Sequence, residues 1–600
     1  MKEENSMSNN VICPRSEYPR PNLVRDGWLC LNGEWDFQID NSKSGRERGY
    51  QTNYAFDSKI VVPFCPESKL SEIGNVDFMN CVWYKRKLTV PEDYKGKRII
   101  FHIGACDWET NVYVGGKLVC NHRGGYTPIR VDVTDALRDG ENTVAIEAID
   151  DVRTGVQIGG KQSQRYASRG CYYTRTTGIW QTVWLEAVDN AHIVNYDVHS
   201  DINEPSVSLD VEVSEAAFGK TLSAVITYEG REVGRALTPI TSTVPHLTAK
   251  LSEKHLWEVG AGRLYDVKLE ILDGNDLCDS VCAYFGLRSV ALNKEGFFLN
   301  GKYVFMRMVL DQGFYPDGIY TAPTDAALKQ DILDSISLGF NGARLHEKVF
   351  EPRFLYYADK LGYMVFGEAG NWGWNHTVPE NVYTFLPEWI EEIERDRAHP
   401  SVIGWCPLNE TWDKPDGTRI QEKTMRLIYD MTLAKDNTRP VIANSGFVPF
   451  YDGCFKTLGA AFDVHDYTQD PEAFAKVFDE LDKGIIKDQL HRNPLYNKRQ
   501  ILDTTKSVFV SEYGGIGWVE NGEGWGYGSS VKTKEEFIER LEGLTAVLLE
   551  NPLICGFCYT QLYDVEQEKN GIMTYERDFK FDKERIARIF SAPSVKERKG

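Results

Sequence analysis

From about residue 290 onward, apolar runs of strand length alternate with amphipathic helical segments. The runs are "VFMRMVL", "NGARL", "YMVFGE", "SVIGWCPLN", "PVIANS", "AFDVHDY", "SVFVSEYGG" and "ICGFCYTQ". Helical periods separate most of them, among them "TDAALKQDILDSISLGF", "PRFLYYADKLG" and "EWIEEIERDRAH". Short apolar runs without polar alternation suit parallel strands buried on both faces. Eight such strands and seven helices in about 300 residues predict a (β/α)8 barrel, a closed fold whose functional groups gather at the C-terminal ends of its strands. The first helix carries its own start and stop signals, Thr324 or Asp325 as N-cap and Gly339 as terminator.

The chain ahead of the barrel has a different period. Residues 15–190 read as short alternating strands broken by Gly, Pro, Asp and Asn, which predicts a jelly-roll β-sandwich. Within it, "ETNVYVGGKLVCNHRGG" reads as a hairpin turning at Gly115-Gly116. Residues 191–288 hold seven or so further strands, the content of an immunoglobulin-like sandwich. The barrel then occupies 289–592.

Composition removes several classes. At 42% hydrophobic and 26% charged, the 600 residues are ordinary for folded domains. A net charge of −20 repels phosphate backbones, so nucleic acid is not an expected partner. No window approaches the ~18–20 apolar residues of a membrane span, and "MKEENSMSNN" has no apolar core of a leader. The 13 Cys lack framework spacing, so reduced core thiols and a cytoplasmic location are expected. Cys555 and Cys558 form a CxxC with no second pair beside it, a poor zinc or redox signal next to the core reading. No cofactor and no metal are expected; a homo-oligomer is compatible with the sequence, which does not fix the assembly.

Polar groups converge on the predicted strand ends. Arg307 and Asp311 lie on the first strand, Arg344, His346 and Lys348 at the end of the second, and Trp372 past the third. Asn409 and Glu410 end the fourth, Tyr467 the sixth, Glu512 the seventh and Tyr559 the eighth. Glu410 and Glu512 stand out because their strands are otherwise apolar. Two carboxyls on one rim suit glycoside hydrolysis, where one protonates the leaving oxygen and the other attacks the anomeric carbon or activates water. The bland alternative makes each a buried ion-pair partner of Arg307 or Arg344. No Ser-His-Asp order, P-loop or GxGxxG after a strand competes, and no strand has the His-x-His of a metal-dependent hydrolase.

With these residues in place, the chain resembles glycoside hydrolase family 2, the family of bacterial β-galactosidases and β-glucuronidases. "LNGEWDFQID" and "TTGIWQTVWLEAV" are similar to its sugar-binding jelly roll, "FFLNGKYVFMRMV" to its first barrel strand, and "LNE" and "VSEYG" to its acid/base and nucleophile segments. The resemblance implies that Glu410 is the general acid/base, Asn409 the amide that meets the sugar 2-hydroxyl, Glu512 the nucleophile, Arg344 the cation that keeps it ionised, and Tyr467 its hydroxyl partner. The chain also departs from the pattern. Asp311-Gln312 stand where a His-Glu turn is usual, and Tyr559 where Trp is common on the last strand. The Asn-x-Lys clamp of the family's glucuronidases is replaced by Glu568-Lys569-Asn570 before Gly571, and the cation ligands of the large β-galactosidases have no match.

The expected activity is that of a retaining exo-β-glycosidase on galactose-configured sugars, neutral or oxidised at C6. In the oxidised case Lys348 and Arg307 are the expected cations for the carboxylate, with Lys348 as a rim partner of Glu347 or Glu351 the competing assignment. The alternatives are a β-glucuronidase-like hexuronidase with a non-standard carboxylate site and a non-catalytic carbohydrate-binding barrel.

Overall fold

The computed structural model describes residues 13–411, 422–446, 458–484, 486–487, 504–519 and 523–599. Two antiparallel sheets form the front sandwich. One has six strands in the order Ser58–Val62, Gly33–Ile39, Cys81–Thr89, Glu141–Ile149, Glu109–Val114 and Lys117–Arg123; the other has four. Their inner faces interdigitate through Trp35, Phe37, Tyr84, Phe101, Ile146 and Leu185. The expected hairpin turns at Gly115 (φ 57°) and Gly116 (φ 83°). Both lie in the left-handed region that a two-residue hairpin loop needs and that glycine enters at no steric cost.

The second sandwich pairs a three-stranded sheet (Ile193–Asp201, Ser206–Val213, His246–Lys250) with a five-stranded one. Four strands of the larger sheet come from residues 221–285, and the fifth is Leu23–Val24 from the N-terminal segment. That crossover was invisible to periodicity, because a two-residue strand has none.

The barrel is a curled parallel sheet. Its strands run in the order Val402–Cys406, Met364–Glu368, Gly342–Leu345, Met306–Asp311, Ile554–Thr560, Val508–Gly514 and Phe462–Asp466, and every residue in them is buried. Helices cover the outside, so the strands are buried on both faces instead of alternating between buried and exposed residues. The first helix, Asp325–Ser337, starts where expected: Thr324 caps it by accepting from the Ala327 N–H, and Gly339 (φ +94°) ends the turn.

One expected strand is not a ladder strand. The stretch "PVIANS" makes isolated parallel bridges, Trp405 to Val441 and Asn409 to Ser445. Asn444 pins it by side chain instead, accepting from the Thr411 N–H at 3.1 Å and donating to the Thr411 carbonyl at 2.9 Å. Polar residues at its end take over the bonds that a regular ladder would make.

The front sandwich and the barrel share apolar packing. Tyr126, Ile158, Tyr173 and Trp180 of the former belong to the same buried cluster as Phe314, Tyr320 and Trp374 of the latter. Thr321 donates to the Trp180 carbonyl at 2.6 Å, and the Tyr126 and Tyr320 hydroxyls meet at 3.1 Å. The front domain is therefore held against the barrel rim by core packing.

Candidate active site

Strand Val402–Cys406 delivers Asn409 and Glu410 past its buried end. Glu410 sits at φ 42°, left-handed for a residue with a side chain. Such a conformation costs of order 1–3 kcal/mol and survives only where neighbours fix it. Here the Glu410 N–H donates to the Ser445 carbonyl at 2.9 Å, and the Asn409 N–H donates to Asn371 Oδ1 at 2.7 Å.

Arg344 ties the strands together. It is fully buried, and its three nitrogens donate to oxygen acceptors on four residues. Nε and Nη2 donate to Glu368 Oε2 (3.0 and 2.8 Å) and Nη2 to Asn409 Oδ1 (2.9 Å), while Nη1 donates to Glu512 Oε1 (3.1 Å) and to the Ser511 carbonyl (3.0 Å). A planar fork can satisfy acceptors on several strands at once, which an ammonium cannot. Burial opposes its charge, but Glu368 and Glu512 overcome that and hold the guanidinium well above its ordinary value.

Glu512 receives the Arg344 bond on one oxygen and the Tyr467 hydroxyl on the other. Burial pushes its carboxyl up; the charges of His465, Arg344 and Lys161 push it down further, to about 2. It is an ionised carboxylate at any pH of interest. Tyr467 stacks on Tyr527, with ring centroids 3.5 Å apart.

His465 stands between the two glutamates. Its Nδ1 lies 2.8 Å from Glu410 Oε1 and 3.4 Å from Glu512 Oε2, and its Nε2 lies 2.9 Å from Ser445 Oγ. Burial lowers its pKa, but Glu512 and Glu410 more than reverse this and raise it. One atom from each of Glu410, His465 and Glu512 falls within 4.8 Å of the others. Such a set has the donor types of a cation site, and the same three groups are linked by the short His465 contacts to both carboxylates. The trio suits proton handling. A second His/Asp group, Asp197, His199 and Asp210 in the middle domain, is already engaged: Asp197 by Arg397 at 3.1 Å and Asp210 by His246 at 2.7 Å.

His346 is close by, its Nδ1 2.9 Å from Glu368 Oε1; burial and then Lys161 push its pKa well below the ordinary value. Trp372 forms a wall, its Nε1 donating to the Asn409 carbonyl at 3.2 Å. Asp311 lies beneath the rim, accepting from the Tyr563 hydroxyl and from the Gly313 N–H at 2.9 Å; burial and Asp331 push it up to about 6.

Three expected site residues face elsewhere. Arg307 sits four residues before Asp311, roughly 13 Å along the strand at ~3.3 Å per residue. It pairs with Glu597 (2.6 Å) and the Ala592 carbonyl (2.8 Å) near the C-terminal helix, at the far end of the barrel. Lys348 is fully enclosed, donating to the Gly313 and Tyr320 carbonyls under the rings of Trp180, Tyr320 and Phe350. With no carboxylate among the described residues in ion-pair range, burial pushes it down to about 7. Tyr559 is a core residue packed against Tyr513 and Phe590. Alternation on that strand carries the next residue, Thr560, inward instead, where its Oγ1 lies 3.1 Å from the Tyr467 hydroxyl.

The sequence reading also missed a contribution from the front domain. A loop through residues 159–173 lies on the barrel rim, its Gly159 N–H donating to the Trp372 carbonyl (2.8 Å) and its Gly160 N–H to the Gly370 carbonyl (2.9 Å). Only glycine fits at 160: its φ is +53°, and a Cβ there would lie 2.1 Å from the Glu347 carbonyl oxygen. The loop brings in Tyr172, Tyr173 and Lys161. Tyr173 donates to Glu568 Oε2 at 2.6 Å, and Asn570 donates to Glu568 Oε1 at 3.0 Å. The paired glycines of "IGGK" were the available signal, but nothing in the sequence says which surface such a loop covers.

Sequence models of the glycosyl hydrolases family 2 match three successive stretches: the sugar binding domain over residues 29–185, a further family 2 domain over 191–288 and the TIM barrel domain over 290–515. A β-galactosidase of Thermoanaerobacter pseudethanolicus is 27% identical over 354 residues, 57% of this chain but 46% of that protein; the chain thus spans less than half of that relative's length. A β-glucuronidase of Paenibacillus borealis is 23% identical, with 83% of this chain and 84% of that protein aligned. The apo β-glucuronidase of Ruminococcus gnavus superposes with a TM-score of 0.77 over 96% of this chain and 100% of that one, at 19% identity, a likeness of fold. With all three of its domains matched by that one family, the chain is a member of family 2 of the glycosyl hydrolases.

Proposed function

We propose that the protein is a retaining exo-β-glycosidase that removes terminal β-linked, galactose-configured sugars, as galactosides or galacturonides. The observation that carries this reading is the closeness of Glu410 and Glu512, which have carboxyl oxygens within 4.8 Å of each other. Retaining pairs have carboxyls about 5–5.5 Å apart, whereas inverting pairs leave about 6.5–9.5 Å for a water. The environments differ in the way two roles require. Glu512, held at about 2, is the permanently charged nucleophile. Glu410, hydrogen-bonded to the His465 ring, is the group that exchanges a proton with the leaving oxygen and then with water. Asn409, whose Oδ1 is held by Arg344 while its Nδ2 has no partner among the described residues, offers that N–H to the sugar 2-hydroxyl. Relatives named β-galactosidase and β-glucuronidase both support a β-glycosidase and leave the sugar open between them. A complete set of charged partners around Glu512 argues against a barrel that only binds. A panel of 4-nitrophenyl glycosides tests the reading: hydrolysis of β-galactoside or β-galacturonide that vanishes in Glu512→Gln supports it, and Glu512-independent turnover or none at all refutes it.

A further inference from the structure

The site needs a cation of its own if it takes an acidic sugar, and the candidates visible on the barrel strands are committed elsewhere. Arg344 is bound to Glu368 and Glu512, Arg307 to Glu597, and Lys348 to two carbonyls. Lys161 is different. It is only 5% exposed, and among the described residues no carboxylate lies within ion-pair distance of its ammonium and no group accepts a hydrogen bond from it. A buried ammonium without an acceptor is costly unless a bound partner completes it.

Its position is fixed from both sides. The Lys161 carbonyl accepts from the Tyr173 N–H at 2.7 Å, and the Tyr173 hydroxyl reaches Glu568. The Lys161 Nζ lies 3.9 Å from the centroid of the Trp372 ring, and Trp372 donates to the carbonyl of Asn409, the neighbour of Glu410. Burial works against its charge, yet the negative groups around it, Glu568, Glu512 and Glu410 among them, hold the amine well above its ordinary value. The ammonium form is therefore favoured, and it is held on Trp372, the ring that borders Asn409 and Glu410. Glu568 does not neutralise it by contact: both of its oxygens already accept, from Tyr173 and Asn570, and burial raises its carboxyl.

Resting on the glycosidase reading above, we propose that Lys161, delivered by the front sandwich, binds the C6 carboxylate of a terminal β-hexuronide. It substitutes for the Asn-x-Lys clamp whose place here holds Glu568 and Asn570. The specificity of the barrel is then set partly by another domain. An ammonium gives a charge-assisted hydrogen bond to either acceptor, but only a carboxylate adds a full opposite charge, so the uronide gains more from Lys161 than the galactoside does.

The test compares kcat/KM for 4-nitrophenyl β-galacturonide, β-glucuronide and β-galactoside in the wild type, Lys161→Met and Lys161→Arg. Met keeps the aliphatic stem against Trp372 and removes the charge. The wild type is expected to favour the galacturonide over the galactoside; a preference for the glucuronide would keep the role of Lys161 and overturn the galactose configuration proposed above. In Lys161→Met kcat/KM for the uronide should fall by about 10- to 150-fold, the loss of one hydrogen bond to a charged group, with a smaller loss for the galactoside so that their ratio falls, and Lys161→Arg should recover part of it. A ratio within 3-fold of wild type, or a wild-type preference for galactoside, overturns the inference. Should the variants fail to fold, inhibition of the wild type decides: free galacturonate or glucuronate must bind more tightly than galactose, and equal or weaker binding overturns it. Glu512→Gln run alongside separates the two claims. If turnover depends on Glu512 but the ratio does not move, Lys161 alone is misassigned; if no turnover depends on Glu512, the glycosidase reading fails with it.

Discussion

Replacing Arg344 by Lys keeps the charge and removes the fork. The guanidinium makes five bonds to protein acceptors: two to Glu368, and one each to Glu512, Ser511 and Asn409. An ammonium has three donors and one centre, so it cannot reach Glu368 on one side and Glu512 and Asn409 on the other. Only the last two bear directly on the proposed chemistry. Losing both, at about 1.5 kcal/mol each as the low end for charged groups, amounts to about 3 kcal/mol. At 1.4 kcal/mol per decade this lowers kcat/KM at least 100-fold. The pH profile should change as well. Glu512 must be ionised to attack, and its carboxyl is held at about 2 by charges that outweigh its burial. With the direct guanidinium bond lost and the remaining cation displaced, burial gains ground and the folded-state pKa rises. The acid limb of kcat/KM, out of reach in the wild type, then moves up into the measurable range. Kinetics from pH 3.5 to 8 on the best substrate of the glycoside panel, with a thermal melt to confirm folding, measure both effects. Activity within about 3-fold of wild type and an unmoved acid limb would refute the assignment of Arg344 as the keeper of the nucleophile.

Glu410→Gln should spare substrates with activated leaving groups and cripple others, since a dinitrophenolate leaves with little protonation; a general acid is worth about 10²–10⁴-fold, and a uniform loss across leaving groups contradicts the role. Lys348→Met tests the corrected placement of that lysine. Its folded pKa is lowered to about 7, so between that value and the ordinary 10.5 the unfolded chain binds more protons and wild-type stability rises with pH. Met removes this dependence, so the melting temperature of the variant relative to wild type should decline from pH 7 to 9; a rising difference would contradict the burial argument.

Hydrophobic period and punctuation carried the fold in the sequence. The Gly115-Gly116 turn, the Thr324 cap and the apolar barrel strands follow from local rules, and these hold wherever tertiary context agrees with them. Glu410 and Glu512 were legible because a carboxyl at the end of an all-apolar run has few other reasons to be there. Arg307 and Lys348 were misread because charge on a strand does not say which end of the barrel it serves or which way it points. Arg307 is four residues too early and Lys348 turns toward carbonyls under an aromatic lid. His465 sat in plain view in "HDY", but its bridging of two glutamates depends on the register of the strands on either side. Lys161 could not be read at all. It lies more than 200 residues from Glu410, and only the packing of the front sandwich against the barrel brings it to Trp372.

The central claim is that Glu410 and Glu512 act as a retaining pair, and the stereochemistry of the first product tests it most directly. Proton NMR of the sugar released in the first minutes of hydrolysis of a β-glycoside, before mutarotation scrambles the anomers, distinguishes the outcomes. The account predicts that the β-anomer appears first and the α-anomer grows in later. An α-anomer formed first would mean inversion by a directly activated water, and would contradict both the nucleophilic role of Glu512 and the reading of the closely spaced carboxyls.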